Sequence, residues 1–225
     1  MKDKHVVITG ATGGLGGAVV ELVLARGAEV HLPITERELP ARLANPRVHA
    51  TTIASLDDEA KVVAFYESIP LWASIHLVGG FAMAKLEDTT LAAFEKQWRQ
   101  NVATCFVTCR EAARAIRRTG CGGRIVNVAA RPAVTPSSGM IAYATAKAGV
   151  AALTQHLAVE LAGDDVLVNA VLPSIIDTPA NRASQPTADH ARWPKPAQLA
   201  EAIAFLASPD NALTSGALVP VYGRA

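Results

Sequence analysis

The sequence predicts an α/β fold, a doubly wound and mostly parallel sheet with helices on both faces. Three observations predict it. Short apolar runs alternate with segments of helical periodicity along the whole chain. Several of those runs are apolar on both faces, as strands covered on both sides of a parallel sheet must be. The first run also ends in a glycine-rich turn that opens a helix. Regular alternation of this kind winds by right-handed crossovers into one layered sheet.

The first strand is HVVITG (residues 5–10), a short apolar run closed by glycine, and residues 15–26 follow with helical periodicity. The second strand, AEVHLP (28–33), stops at Pro33, which has no N–H to give a ladder. KVVAFYESI (61–69) reads as a helix and SIHLVGG (74–80) as a strand. Residues 91–118 carry apolar side chains at helical spacing over many turns, up to Gly120 and the GCGG break. GRIVNVA (123–129) is a strand, 141–162 a helix and DVLVNAVL (165–172) a strand. A helix at 197–207 and a last strand, ALVPVY (217–222), complete the pattern. No internal repeat, low-complexity tract or linker interrupts it, so residues 1–225 are expected to form a single domain.

Composition narrows the function. Half of the 225 residues are hydrophobic and 18% are charged, which suits a large covered core. The net charge of +1 without a basic run argues against nucleic acid as a partner. No apolar run reaches the roughly 18 residues of a membrane span, and MKDKHVVITG lacks the pattern of a signal peptide. Of three cysteines, Cys105 and Cys109 share a helix face and Cys121 lies in a glycine-rich turn. No His, Cys or Asp partner stands at ligand spacing, so no metal site is expected. A reducing, cytoplasmic compartment is the expectation.

The chemistry begins at TGATGGLG, that is Thr9-Gly10-x-x-x-Gly14-x-Gly16, between the first strand and the first helix. Glycines there let the backbone turn tightly and approach a pyrophosphate, whose charge then sits at the helix N-terminus. Gly10, Thr12, Gly13, Gly14, Leu15 and Gly16 are the expected cradle. The three-residue gap between the first two glycines resembles the short-chain dehydrogenase/reductase family, whose fold is of the Rossmann type. A side chain at the end of the second strand discriminates between the two dinucleotides, and an acid there selects NAD. By spacing that place is Ile34, with Thr35, Glu36 and Arg37 behind it. Thr35 and Arg37 suit a 2′-phosphate while Glu36 opposes it, so NADP(H) is favoured modestly over NAD(H). The resemblance also implies an adenine pocket at Ser55-Leu56, with serine in place of the family's aspartate.

Tyr143 and Lys147 stand one helical turn apart, hence on one face. A phenol of pKa about 10 is a poor base at neutral pH, and a neighbouring ammonium is expected to lower that value. The pair matches the family's Tyr-x-x-x-Lys signature, and the resemblance covers almost the whole chain. It implies that Tyr143, Lys147 and Asn101 are catalytic. It further implies that Gly79, Gly80, Pro173, Ile176 and Thr178 lie at the cofactor with Tyr143 and Lys147. Gly79-Gly80-Phe81-Ala82 stands where the family has Asn-Asn-Ala-Gly. Thirteen residues before the tyrosine, where the family places a serine that donates to the substrate oxygen, this chain has Ala130. Losing one such donor costs about 10²–10³ in rate, which matters least for an acceptor that is already a strong electrophile.

Residues 177–196 read as a substrate lid. Thr178-Pro179 gives an N-cap followed by proline at the first helical position, and prolines recur along the segment. Trp193 is expected to stack on a planar ring, Arg182 to position an acceptor, and His190 to face solvent. The segment is similar to that of the dihydropteridine reductase branch at Ala170-Val-Leu-Pro173, Asp177-Thr-Pro179, Asn181-Arg182, Ser184, Pro186, Ala188-Asp189 and Trp193. TPSSGMIAYATAK resembles that branch as well, and it too has alanine in the serine position. The resemblance implies an NAD(P)H-dependent reductase. Its acceptor would be small, planar and activated, dihydropterin-like or quinonoid, or else a carbonyl compound. It also implies a homodimer or homotetramer built through the two long helices. The alternative is a cofactor-binding regulator or scaffold whose catalysis has lapsed, against which the intact Tyr143, Lys147 and Asn101 argue.

Overall fold

The computed structural model describes residues 1–224. Seven strands form one sheet: β1 (His5–Thr9), β2 (Glu29–Ile34), β3 (Val48–Thr52), β4 (Leu71–His76), β5 (Gly123–Val128), β6 (Val166–Pro173) and β7 (Leu218–Val221). Their order is β3-β2-β1-β4-β5-β6-β7, and every pair is parallel. Seven α-helices connect them: α1 (Gly16–Ala25), α2 (Glu59–Glu67), α3 (Leu91–Trp98), α4 (Thr104–Thr119), α5 (Ile141–Glu160), α6 (Pro179–Ser184) and α7 (Pro196–Leu206).

Alternation along the strands divides the core in two. Val6 and Ile8 of β1 join Val19 and Val23 of α1 and Ile203 of α7 on one face. Val7, between them in sequence, joins Phe65 of α2, Ile116 of α4 and Val150 of α5 on the other. Both sides of the sheet are therefore covered, as the doubly apolar strand sequences require. From β1 the chain builds outward in one direction through β2 and β3 and in the other through β4. Such a switch point leaves a crevice beyond the strand C-termini. Among the described residues no helix is long and apolar enough to cross a membrane.

Three elements differ from the expectations. β3 has no counterpart among the expected strands, because an edge strand with four of five residues exposed carries no apolar pattern. The ladder of β4 starts at Leu71 and ends at His76 rather than running 74–80. Beyond it, Leu77 and Val78 turn their N–H groups to the Thr9 hydroxyl, at 3.1 and 3.4 Å. The helix expected over 91–118 is interrupted by a π turn at Arg99–Ala103. There the Asn101 side chain donates to the Gln97 carbonyl at 2.9 Å, using the acceptor that its own backbone N–H would take in a regular helix.

Candidate active site

At the C-terminal end of β1 the chain turns at Gly10 with φ +71°, in the left-handed region that glycine enters freely. A side chain at Gly10 would meet the Leu77 and Val78 backbone at 3.0 Å, and one at Gly16 would strike the Gly10 carbonyl. The first residues of α1 receive no side-chain cap, and the residue before the helix is Leu15. Their unpartnered N–H groups and the helix dipole face the turn, which is the chemistry an anion requires. A side chain at Gly14 would come within 2.8 Å of Thr178 Cγ2, so the segment after β6 touches the cradle as expected. Thr178 itself caps α6, accepting from the Asn181 N–H at 3.3 Å. Ile176 helps to fix the same turn, its carbonyl accepting from Asn181 Nδ2 at 2.8 Å. Pro173 is the last residue of β6.

A cleft of about 370 Å³ runs from the cradle toward the end of β2. Gly10, Thr12, Gly13 and Gly79 line it, and Thr35, Ser55 and Leu56 line it further on. This donor set, with a cradle that any Cβ would fill, fits a dinucleotide. The Ser55 hydroxyl donates to Asp57, whose carboxylate also pairs with Arg99 at 2.9 Å. Arg37 is exposed and is not among the residues lining the cleft. Arg42 instead reaches the glycine turn, its Nη2 donating to the Thr12 carbonyl at 2.6 Å. Spacing could not single it out, because it enters from the short 3₁₀ turn Ala41–Leu43. Glu36 accepts from the Thr35 hydroxyl at 3.3 Å. Its own N–H, Thr12 and Thr35 hold its carboxyl below the usual range.

Beside Gly79, which lines the cleft, stand Asn101 and Lys147, and Tyr143 precedes Lys147 by one turn of its helix. Tyr143 and Lys147 lie one turn apart on α5, and the ammonium sits 6.0 Å from the phenol ring centroid. Lys147 is buried and donates to the Val128 carbonyl at 2.8 Å. Burial lowers its pKa to about 8, opposed by the charge of Cys105. The expected depression of the tyrosine is corrected: burial pushes Tyr143 up to about 12. Desolvation is the cause. The ring edge of Tyr143 meets Phe81 at 4.9 Å and 85°.

Asn101 is buried, and its Nδ2 donates to the carbonyls of Gly80 at 3.0 Å and Gln97 at 2.9 Å. Those bonds fix the amide and leave Oδ1 without a partner, the single buried side-chain polar atom so left among the described residues. Gly79 explains the spacing around it. A Cβ there would lie 2.6 Å from Asn101 Oδ1 and 3.1 Å from Lys147 Nζ. The missing side chain leaves a point within hydrogen-bond reach of both groups. At Gly80 a side chain would run into Gln100.

Ala130 is buried just beyond β5. Ser137 and Ser138 are exposed in the loop before α5, so neither replaces its missing hydroxyl at the strand end. Three lid expectations are corrected. Trp193 is buried at 6% exposure, its ring 4.6 Å from that of His190; covering an indole from water outweighs leaving it free to stack on a ligand. Arg182 is committed to Asp177 by a fork of bonds at 2.5 and 2.8 Å, since the carboxylate lies one turn away. His190 is half-buried rather than solvent-facing, with Nε2 2.8 Å from the Gln185 carbonyl.

Comparison with known proteins agrees with this geometry. The family model described as short chain dehydrogenase matches residues 4–189. A 3-oxoacyl-(acyl-carrier-protein) reductase of Vibrio cholerae is 27% identical over 99% of this chain and 97% of its own. A 2-(R)-hydroxypropyl-CoM dehydrogenase of Xanthobacter autotrophicus is 30% identical over 98% of both chains. The solved structure of ElxO with NADP bound superimposes with a TM-score of 0.90 at 23% identity, over 99% of this chain and 98% of that one, and so shares the fold.

Proposed function

The chain belongs to the short chain dehydrogenase family, an oxidoreductase with a nicotinamide dinucleotide site, and from that premise we propose that it reduces a small, planar, pre-activated acceptor. The observation that carries this reading is Ala130, buried just beyond β5 with no hydroxyl to give, while the partnerless Asn101 Oδ1 and Lys147 stand around the space that Gly79 leaves open. The cradle at Gly10–Gly16 and Thr178 would hold the pyrophosphate. The cleft past Thr35 and Leu56 would hold the adenosine. When bound, the reduced nicotinamide supplies the hydride.

Everything else is work for the chain. With its pKa raised to about 12, Tyr143 keeps its proton throughout the neutral range and serves as the acid that protonates the acceptor's heteroatom. Lys147, protonated below about pH 8, stabilises the phenolate formed in that step. The lysine and the free Asn101 oxygen together provide the path by which the proton is replaced. Ala130 offers no hydroxyl to polarise an isolated carbonyl, and this favours a conjugated acceptor such as a quinonoid dihydropterin or a quinone. The relatives named above are a ketoacyl reductase and a secondary alcohol dehydrogenase, so simple carbonyl compounds form the second reading.

The test is a panel of quinonoid dihydropterin, quinones, ketones and aldehydes with each cofactor, followed by loss of reduced-nicotinamide absorbance. Turnover should be fastest on the planar set. Rapid reduction of aliphatic ketones with none of the planar acceptors would leave only the second reading. NADPH is proposed to bind modestly better than NADH, supported by Thr35 in the cleft wall and by Arg37 and Arg42 nearby, against Glu36. Arg37→Ala should weaken NADPH alone, because only the 2′-phosphate offers the guanidinium a charged partner. Arg42→Ala should weaken both by loosening the Thr12 turn. Equal loss of both cofactors in Arg37→Ala would refute that assignment. A homodimer or homotetramer through α3–α5 is supported by exposed Leu91, Trp98 and Phe106, and light scattering at several concentrations tests it.

A further inference from the structure

His76 closes β4, and α4 lays Cys105 and Cys109 against it, one turn apart on its inner face. All three side chains are buried. The two sulfur atoms are 3.9 Å apart, and Cys109 Sγ is 3.4 Å from His76 Nδ1. One ligand atom from each residue lies within 4.8 Å of the other two. With Zn–S near 2.3 Å and Zn–N near 2.0–2.1 Å, a tetrahedral site sets neighbouring sulfurs about 3.8 Å apart and sulfur from nitrogen about 3.6 Å. The Cys105–Cys109 and Cys109–His76 edges agree with those values to about 0.2 Å, and the third, Cys105 to His76, is no longer than 4.8 Å. The spacing of the two cysteines alone suggested no metal; folding brings the third ligand from a different element.

We propose that His76, Cys105 and Cys109 form a binding site for one borderline or soft divalent cation of filled d shell, zinc or cadmium. The surroundings have what such a site needs beyond its ligands. Ser74 Oγ stands 2.8 Å from His76 Nε2, and the Tyr66 hydroxyl stands 2.8 Å from Ser74. Thr154 donates to the Val150 carbonyl at 2.8 Å and accepts from Asn127 Nδ2 at 2.9 Å. The Asn127 amide is thereby oriented with Oδ1 toward the trio, 2.8 Å from His76 Nδ1 and 3.4 Å from Cys109 Sγ. That oxygen lies 2.8 Å from Nδ1, closer than the roughly 3.3 Å between neighbouring N and O ligands of a tetrahedron, so it swings aside when a metal takes the Nδ1 lone pair and the protein supplies three corners.

Without metal, the same network places the imidazole proton on Nδ1, donated to Asn127. On binding, that proton moves to Nε2 and is accepted by Ser74, freeing the Nδ1 lone pair. Cys105 and Cys109 each release a thiol proton to solvent, and both sulfurs coordinate as thiolates. Two thiolates neutralise the dication, so the buried site carries no net charge, as burial demands.

The experiment titrates the metal-free full chain with Co²⁺ and Cd²⁺, both after folding and with metal present during refolding. One equivalent should bind, with thiolate-to-metal absorption for each ion and the intense visible bands of four-coordinate cobalt. Cys105→Ala and Cys109→Ala should each lower affinity at least 100-fold, and Ser74→Ala about 10-fold. Cys121→Ala should change nothing. Absence of thiolate-to-cobalt absorption in the wild type at saturating metal overturns the proposal, whatever the folding of the core variants. So does a signal that disappears with Cys121. No turnover is measured, so the outcome is independent of the reaction proposed above.

Discussion

Replacing Gly79 with alanine would put a methyl carbon 2.6 Å from Asn101 Oδ1 and 3.1 Å from Lys147 Nζ. The first distance falls about 0.8 Å short of ordinary contact, and neither neighbour yields cheaply. Asn101 is tied through Nδ2 to Gly80 and Gln97, and Lys147 through Nζ to Val128. Moving the amide breaks a buried hydrogen bond worth about 1 kcal/mol, and overpacking of this kind costs about 1–3 kcal/mol in all. Spent in the transition state, that cost lowers kcat by about 10–100-fold, since about 1.4 kcal/mol is a factor of ten. In the free protein it lowers Tm by about 2–4 °C per kcal/mol. The assay is steady-state kcat on the best acceptor of the panel, with a thermal melt and a fluorescence titration of cofactor on the same preparation. A cofactor Kd within about threefold of wild type, together with the fall in kcat, locates the damage at the proton path. A variant with wild-type kcat and Tm would refute the claim that the open space beside Gly79 is used.

Tyr143→Phe should abolish most turnover while leaving cofactor affinity nearly unchanged by fluorescence; near-normal activity removes the tyrosine from the reaction. Lys147 has a folded pKa of about 8 against an ordinary 10.5, so the folded state binds fewer protons than the unfolded chain between those values. Its contribution to stability therefore improves as pH rises from 8 to 10.5, whereas the lysine-dependent part of kcat declines through pH 8 as the ammonium is lost. Melts and pH–rate profiles of wild type and Lys147→Met, subtracted at each pH, read both trends. Ala130→Ser should raise kcat/KM on unactivated ketones more than on quinonoid acceptors, and equal gains on both would contradict the reading of the alanine.

What the sequence disclosed was whatever rests on local pattern. The doubly apolar strands, the glycine cradle and the Tyr143–Lys147 turn are all set by neighbours in the chain, and all but β4, which starts three residues earlier, appear where spacing put them. What it hid depends on distant partners. β3 is an exposed edge strand and writes no alternation into VHATT. Trp193 looked free until the fold covered it, and Arg42 meets Thr12 from thirty positions further along the chain. The phenol's raised pKa follows from burial, which a four-residue spacing does not encode. His76 is invisible as a partner of Cys105 and Cys109 because β4 and α4 come together only in the folded sheet.

The π turn at Arg99–Ala103 has a consequence for how this chain tolerates change in length. Each residue added to or removed from an α-helix rotates everything beyond it by about 100°. Deleting one residue from RQNVA would mend the hydrogen-bond ladder and gain local regularity, yet it would swing α3 around relative to α4. Thr90, which caps α3 by accepting from the Ala93 N–H at 3.1 Å, would lead the chain in from another side, and Asn101 would no longer point beneath Gly80. The extra residue is thus a phase setting between two helices. Single substitutions leave that phase intact; an insertion or deletion resets it in one step, so this stretch should accept new side chains far more readily than a new length.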